Sequence, residues 1–97
     1  MQKRHFEMET DGLYGAYWKC KTDSDCAMIA MIGDDSEDYL ARTSVKWLHK
    51  FGVNVMTMSP AKKDYGHYNY PLERIEKAIS WLKTHGNQRI GIVGASD

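Results

Sequence analysis

Seven consecutive apolar residues, Cys26-Ala27-Met28-Ile29-Ala30-Met31-Ile32, constrain this chain more than any other stretch. A strand with one wet face alternates apolar and polar residues, so an unbroken apolar run of this length predicts a strand covered on both faces, as in a parallel sheet. Parallel neighbours cannot be joined by tight turns and need crossover helices. The sequence supplies them. After Gly33-Asp34-Asp35 the period changes, and Leu40, Ser44, Trp47, Leu48 and Phe51 fall on one side of a helix. Asp35 or Ser36 is the expected cap, Glu37 and Asp38 stand in the first turn, and His49 and Lys50 stand in the last. Gly52 sits where a left-handed residue would end that helix, and 53–58 reads as the next strand.

The pattern then repeats. Ser59-Pro60 stops the strand, and 61–70 reads as a loop carrying Lys62, Lys63, His67, Tyr65, Tyr68 and Tyr70. Pro71 suits a first helical position, and Leu72, Ile75, Ala78, Ile79 and Leu82 form an apolar stripe, with Glu73 and Lys77 spaced to pair outside it. Gly86 closes this helix, and 89–93 reads as a strand. Upstream, Phe6 and Met8 alternate with Glu7 and Glu9, Asp11-Gly12 offers a turn, and 13–18 resumes as an aromatic-rich strand. The expected fold class is α/β: an antiparallel hairpin followed by parallel strands with helices on the faces.

Composition narrows the partners. Thirteen basic residues balance thirteen acidic ones, so no net field draws the chain to nucleic acid or to an anionic membrane. The longest apolar run is far too short to span a bilayer, and the basic start at Lys3-Arg4-His5 leads into no signal-peptide core, so a cytoplasmic location is expected. Cys20 and Cys26 lack the spacing of short zinc or redox motifs and read as reduced thiols. Met28, Met31, Met56 and Met58 lie among aliphatic strand residues and read as core, not as metal ligands. No metal or cofactor is expected.

The last nine residues, Arg89-Ile90-Gly91-Ile92-Val93-Gly94-Ala95-Ser96-Asp97, are a buried strand running into a glycine-bounded serine. They read as the front of a Gly-x-Ser-x-Gly nucleophile elbow, in which a sharp strand-to-helix turn presents the hydroxyl to a histidine base. With the preceding elements, this resembles the amino-terminal part of the α/β-hydrolase superfamily, which opens with an antiparallel pair, continues through two strand-helix units and places its serine after the next strand. Within it, 5–96 looks most like bacterial acyl-CoA thioester hydrolases, related to the catalytic domain of bile-acid-CoA:amino acid N-acyltransferases and to the dienelactone-hydrolase group. The resemblance implies that Ser96 is the nucleophile, that the substrate is an ester or an acyl-CoA-like thioester, and that the oxyanion is held by main-chain N–H groups of Asp97 and Asp34.

Two departures from that pattern matter. The loop reads Gly33-Asp34-Asp35-Ser36 where many esterases have His-Gly-Gly-Gly, which leaves Asp35 as a substitute donor for Asp34. The family's acid and histidine follow the serine, whereas His5, His49, His67 and His85 all precede Ser96. His67 alone is expected on a free loop, while His49 and His85 fall in last helical turns, where a dipole role accounts for them. The expectation is therefore a single incomplete domain over 1–97, truncated at the elbow and inactive alone, whose partner is a missing carboxyl-terminal portion or a second copy. An alternative reads Gly91 to Ser96 as the phosphate-binding turn of an NAD(P)-dependent reductase, although that turn normally follows the first strand of its domain. Another alternative is a non-catalytic, self-associating fragment. The Lys62-Lys63 and tyrosine segment would suit a CoA-like ligand, against the plainer reading of a solvated loop.

Overall fold

The computed structural model describes residues 2–11, 15–21, 23–31, 38–58 and 72–94. The elements are β1 (Gln2–Phe6), α1 (Met8–Asp11), β2 (Gly15–Lys19), β3 (Cys26–Met31), α2 (Tyr39–His49), β4 (Asn54–Met58), α3 (Leu72–Thr84) and β5 (Arg89–Gly94). Five strands form one sheet in the order β1-β2-β4-β3-β5. β1 and β2 pair antiparallel, β2 runs antiparallel to β4, and β4, β3 and β5 run parallel. The chain has a mixed α/β fold, with the apolar run of β3 between two parallel neighbours.

The helices lie on opposite faces. Ala16, Trp18, Ala30 and Val55 meet Val45 of α2 on one face, while Phe6, Tyr17, Ala27, Ile29, Met56 and Met58 meet Ala78 and Leu82 of α3 on the other. Strand alternation explains the division, because neighbours such as Ala16 and Tyr17 must point to opposite sides. On the α3 face the indole of Trp81 stands edge-on to Phe6 and Tyr17, with ring centroids 5.0 and 4.8 Å away. Such T-shaped contacts add to area burial.

Three local expectations are corrected. The hairpin exists, but Met8 and Glu9 belong to a helical turn and not to an alternating strand. Asp11 makes that turn: its main-chain N–H donates to the Glu7 carbonyl at 2.8 Å, and its carboxylate accepts from the Glu7 N–H at 2.9 Å. Secondly, Asp38 caps α2, not Asp35 or Ser36, which lie outside the described residues. Its backbone is extended (φ −77°, ψ −174°), and its carboxylate accepts from the Ala41 N–H at 2.9 Å.

The third correction concerns the face that α2 buries. Ala41 and Val45 are buried, whereas Leu40 is 56%, Trp47 60% and Phe51 77% exposed. Small residues on both sides allow the helix to lie close to the sheet, with Ala16 and Ala30 opposite Val45. Leu40, Trp47 and Phe51 are turned away from it, while Leu48 is half-buried against the same core as Val45, as expected. In α3 the expected stripe holds, with Ala78 and Leu82 buried and Ile79 packed against the same core. Gly52 (φ 74°) and Gly86 (φ 91°) take the left-handed conformation that ends each helix. Cys20 and Cys26 are free thiols.

Candidate functional site

The parallel strands end level with one another. Met31 of β3 pairs with Met58 of β4 on one side and with Gly94 of β5 on the other. Adjacent strands lie about 4.8 Å apart, so the chain leaves β3 and β5 at neighbouring points on one end of the sheet. The next described residue after β3 opens α2 on one face, and the helix following β4 packs on the other. Where successive connections diverge to opposite faces, the carboxyl end of a parallel sheet forms a crevice suited to ligands.

The expected site residues Ser96, Asp97, Asp34 and Asp35 lie outside the described residues, as do His67, Lys62, Lys63 and the tyrosines at 65, 68 and 70. The register nevertheless relates them in sequence: Asp34 stands three positions beyond Met31 and Asp97 three beyond Gly94, and Met31 and Gly94 are paired.

The described histidines do structural work. His49 Nε2–H donates to the Trp18 carbonyl at 3.0 Å and ties the end of α2 to β2. That contact goes beyond the surface dipole role expected from its position. His85 stacks on Trp81 at 3.8 Å, and its Nδ1–H donates to the Trp81 carbonyl at 2.8 Å. His5 lies 2.8 Å from the Glu7 carboxylate. By register His5 is level with Ala30, near the Met31 end of the sheet but three strands away from β3. Among the described residues, no group of three or more His, Cys, Asp or Glu gathers at metal-binding distance.

At the opposite, amino end of the parallel strands lies a buried polar network that sequence reasoning missed. The Asn54 amide donates to the Ser24 carbonyl (3.1 Å) and to Asn87 Oδ1 (2.9 Å), and its oxygen accepts from the Cys20 N–H (2.9 Å). Asn87 in turn donates to the Tyr17 hydroxyl (3.3 Å) and the Leu82 carbonyl (3.1 Å). These bonds join β2, the 20–25 connection, β4 and the end of α3, and they satisfy two amides buried to 2% and 0% exposure. The available signal was Asn54 itself, an amide opening a strand whose other residues are apolar except for Thr57. On the α2 face, Trp18 Nε1–H donates to the Thr57 hydroxyl at 2.8 Å, which explains the threonine in the middle of β4.

Gly91 has a packing reason. A Cβ there would sit 3.0 Å from the Met28 sulfur, so its lack of a side chain lets β5 lie close against β3. Among the described residues no helix is long and apolar enough to cross a membrane. Comparisons of the chain with family models, with curated proteins and with solved structures find no match.

Proposed function

We propose that this chain contributes the nucleophile side of a serine hydrolase of the α/β-hydrolase type, acting on an ester or thioester through an acyl-Ser96 intermediate. The observation that carries the reading is the Met31–Gly94 pairing. A tetrahedral oxyanion needs two main-chain N–H donors converging on one atom, one from the residue after the serine and one from the loop after the first parallel strand. Asp34 and Asp97 each follow one member of this pair by three residues, which supports assigning them as those two donors. The hairpin, the two strand-helix units on opposite faces and the final strand running into Gly94 support the same assignment.

The dinucleotide alternative loses support on one count. Its phosphate-binding turn follows the first strand of a domain, whereas β5 is the fifth strand in chain order and lies at an edge of the described sheet. In the hydrolase reading the acid and the histidine follow the serine in chain order, so none of the three described histidines serves as base.

Labelling with a fluorophosphonate tests the proposal. Protein that includes the following polypeptide should be labelled at Ser96 and lose both label and ester turnover in Ser96→Ala. The 97-residue chain alone should turn over no ester. Turnover by the isolated chain would assign the base to one of its own histidines, and absence of label in the longer protein would remove the activated serine.

A further inference from the structure

The even charge balance conceals an uneven surface. Between α2 and the β2 side of the sheet lies a cleft of about 540 Å³, floored by Trp18 and Val45 and rimmed by Lys21, Arg42, Lys46 and Lys50, with His49 in its wall. Among the described residues no carboxylate lines it and none of those four cations is ion-paired, although Arg42 Nε donates to the Asp38 carbonyl at 3.4 Å and the Lys50 ammonium lies 4.7 Å from the Trp47 ring centre. Arg42, Lys46 and Lys50 repeat every fourth residue. Lys50 keeps helical geometry (φ −65°, ψ −23°), so the three form one row with steps of about 6 Å.

Such a row is unfavourable by itself, since like charges four residues apart on a helix repel one another. The helix dipole accounts for cations in the last turn of α2. It does not account for Arg42, near the opposite end, or for Lys21, which comes from outside the helix. A multiply charged anion seated among them would relieve the repulsion at every position. A single carboxylate would leave most of the charge uncompensated, while a phosphate group brings up to two negative charges and several acceptors matched to an arginine fork. The apolar floor and the lysine stems offer contact to an organic body.

We propose that this cleft is a binding site for a small phosphorylated organic molecule, with Arg42, Lys46 and Lys21 holding the phosphates and Trp18 and Val45 contacting the organic part. The cleft lies against β2 and neither Leu40 nor Trp47 lines it; of its cations only Lys50 reaches Trp47, at 4.7 Å, so Arg42, Lys46 and Lys21 are gathered around a concave floor and not on the flat mixed face that a membrane surface would require. The volume falls in the range of small-molecule pockets and is concave, unlike a track along a nucleic-acid strand. The site is independent of Ser96.

Titration of the intact chain with ADP and with inorganic pyrophosphate, followed calorimetrically, tests the assignment. Saturable one-to-one binding of ADP is expected, weakening as salt rises from about 50 to about 200 mM. Lys46→Gln and Arg42→Gln should each weaken ADP binding about tenfold, the loss of one charge-assisted contact. Lys77→Gln, on exposed α3 surface of the other face, should leave it unchanged. Unchanged helicity by circular dichroism would separate lost binding from lost folding. No saturable ADP binding, or binding indifferent to Arg42 and Lys46, overturns the site. Pyrophosphate binding as tightly as ADP overturns the role of the apolar floor. Phosphatidylserine vesicles or single-stranded DNA bound through Lys46 in the absence of ADP saturation would assign the cleft to a macromolecule and also overturn the proposal.

Discussion

The two helices of this fold carry comparable apolar content yet finish their faces of the sheet differently. α3 buries Ala78 and Leu82 beneath a cover that includes Trp81, and the aromatic residues Phe6 and Tyr17 close against it. α2 buries Ala41 and Val45 with Leu48 half-buried beside them and leaves Leu40 and Trp47, and Phe51 just past its end, in the open; Val93 of β5 is exposed on the same face of the sheet. The α3 face is thus finished over most of its width, and the α2 face is finished over β4 and β3 but not over β5. Ile92, on the α3 side of β5, is also exposed, so the incompleteness runs along that edge strand on both faces. An edge strand with apolar residues on both sides, and without proline or lysine, is an invitation to further pairing.

Truncating one buried and one exposed leucine gives the largest contrast. Leu82→Ala should cost about 2–5 kcal/mol of unfolding free energy by denaturant titration, whereas Leu40→Ala should stay within about 0.5 kcal/mol. Comparable losses at both positions would mean that the α2 flank is covered in solution. Next in size is the polar network that anchors the α3 side: Asn54→Ala should cost roughly 1–3 kcal/mol, because it strands the Cys20 N–H and the Asn87 carbonyl oxygen in a buried place. A loss well below that range would show the network to be replaceable by water. The smallest effect on stability belongs to Trp47→Gln, which should leave the midpoint of unfolding in place. If the open flank and edge drive association between copies, it should shift the sedimentation profile toward monomer. A wild-type chain that is monomeric throughout would break the comparison at its weaker side.

Much of this architecture was legible because its signals are local. An unbroken apolar run, glycines at the left-handed positions 52 and 86, and a period change after Gly33 are enough to order strands and helices. The rotation of α2 was not legible, because periodicity weights side chains by size, and Leu40, Trp47 and Phe51 outweigh Ala41 and Val45. What decides burial is how near the helix can come, and that depends on Ala16 and Ala30, which are distant in sequence. The hairpin link failed for a similar reason. Asp11 reads as a turn residue, yet its carboxylate folds back onto Glu7 and closes a helical turn instead. Of the candidate site, sequence supplied Ser96, Asp34 and Asp97, and the fold adds the reason that their strands belong together. The cleft on α2 was invisible in the composition, because a zero net charge says nothing about where the charges sit.

The parallel pairing of β3 with β5 also bears on the time course of folding. β1 meets β2 across short sequence gaps, nine residues at Phe6 and Gly15, but Cys26 meets Arg89 across 89 − 26 = 63 residues. Closing so long a loop is entropically expensive, and pairings of this kind arrive late. β5 can dock only when β3 is in place, and Gly94, which leads to the serine, is the far end of that last strand. β5 is therefore placed at the close of folding, and the reactivity of Ser96, if it is the nucleophile proposed above, would report that the whole sheet has formed.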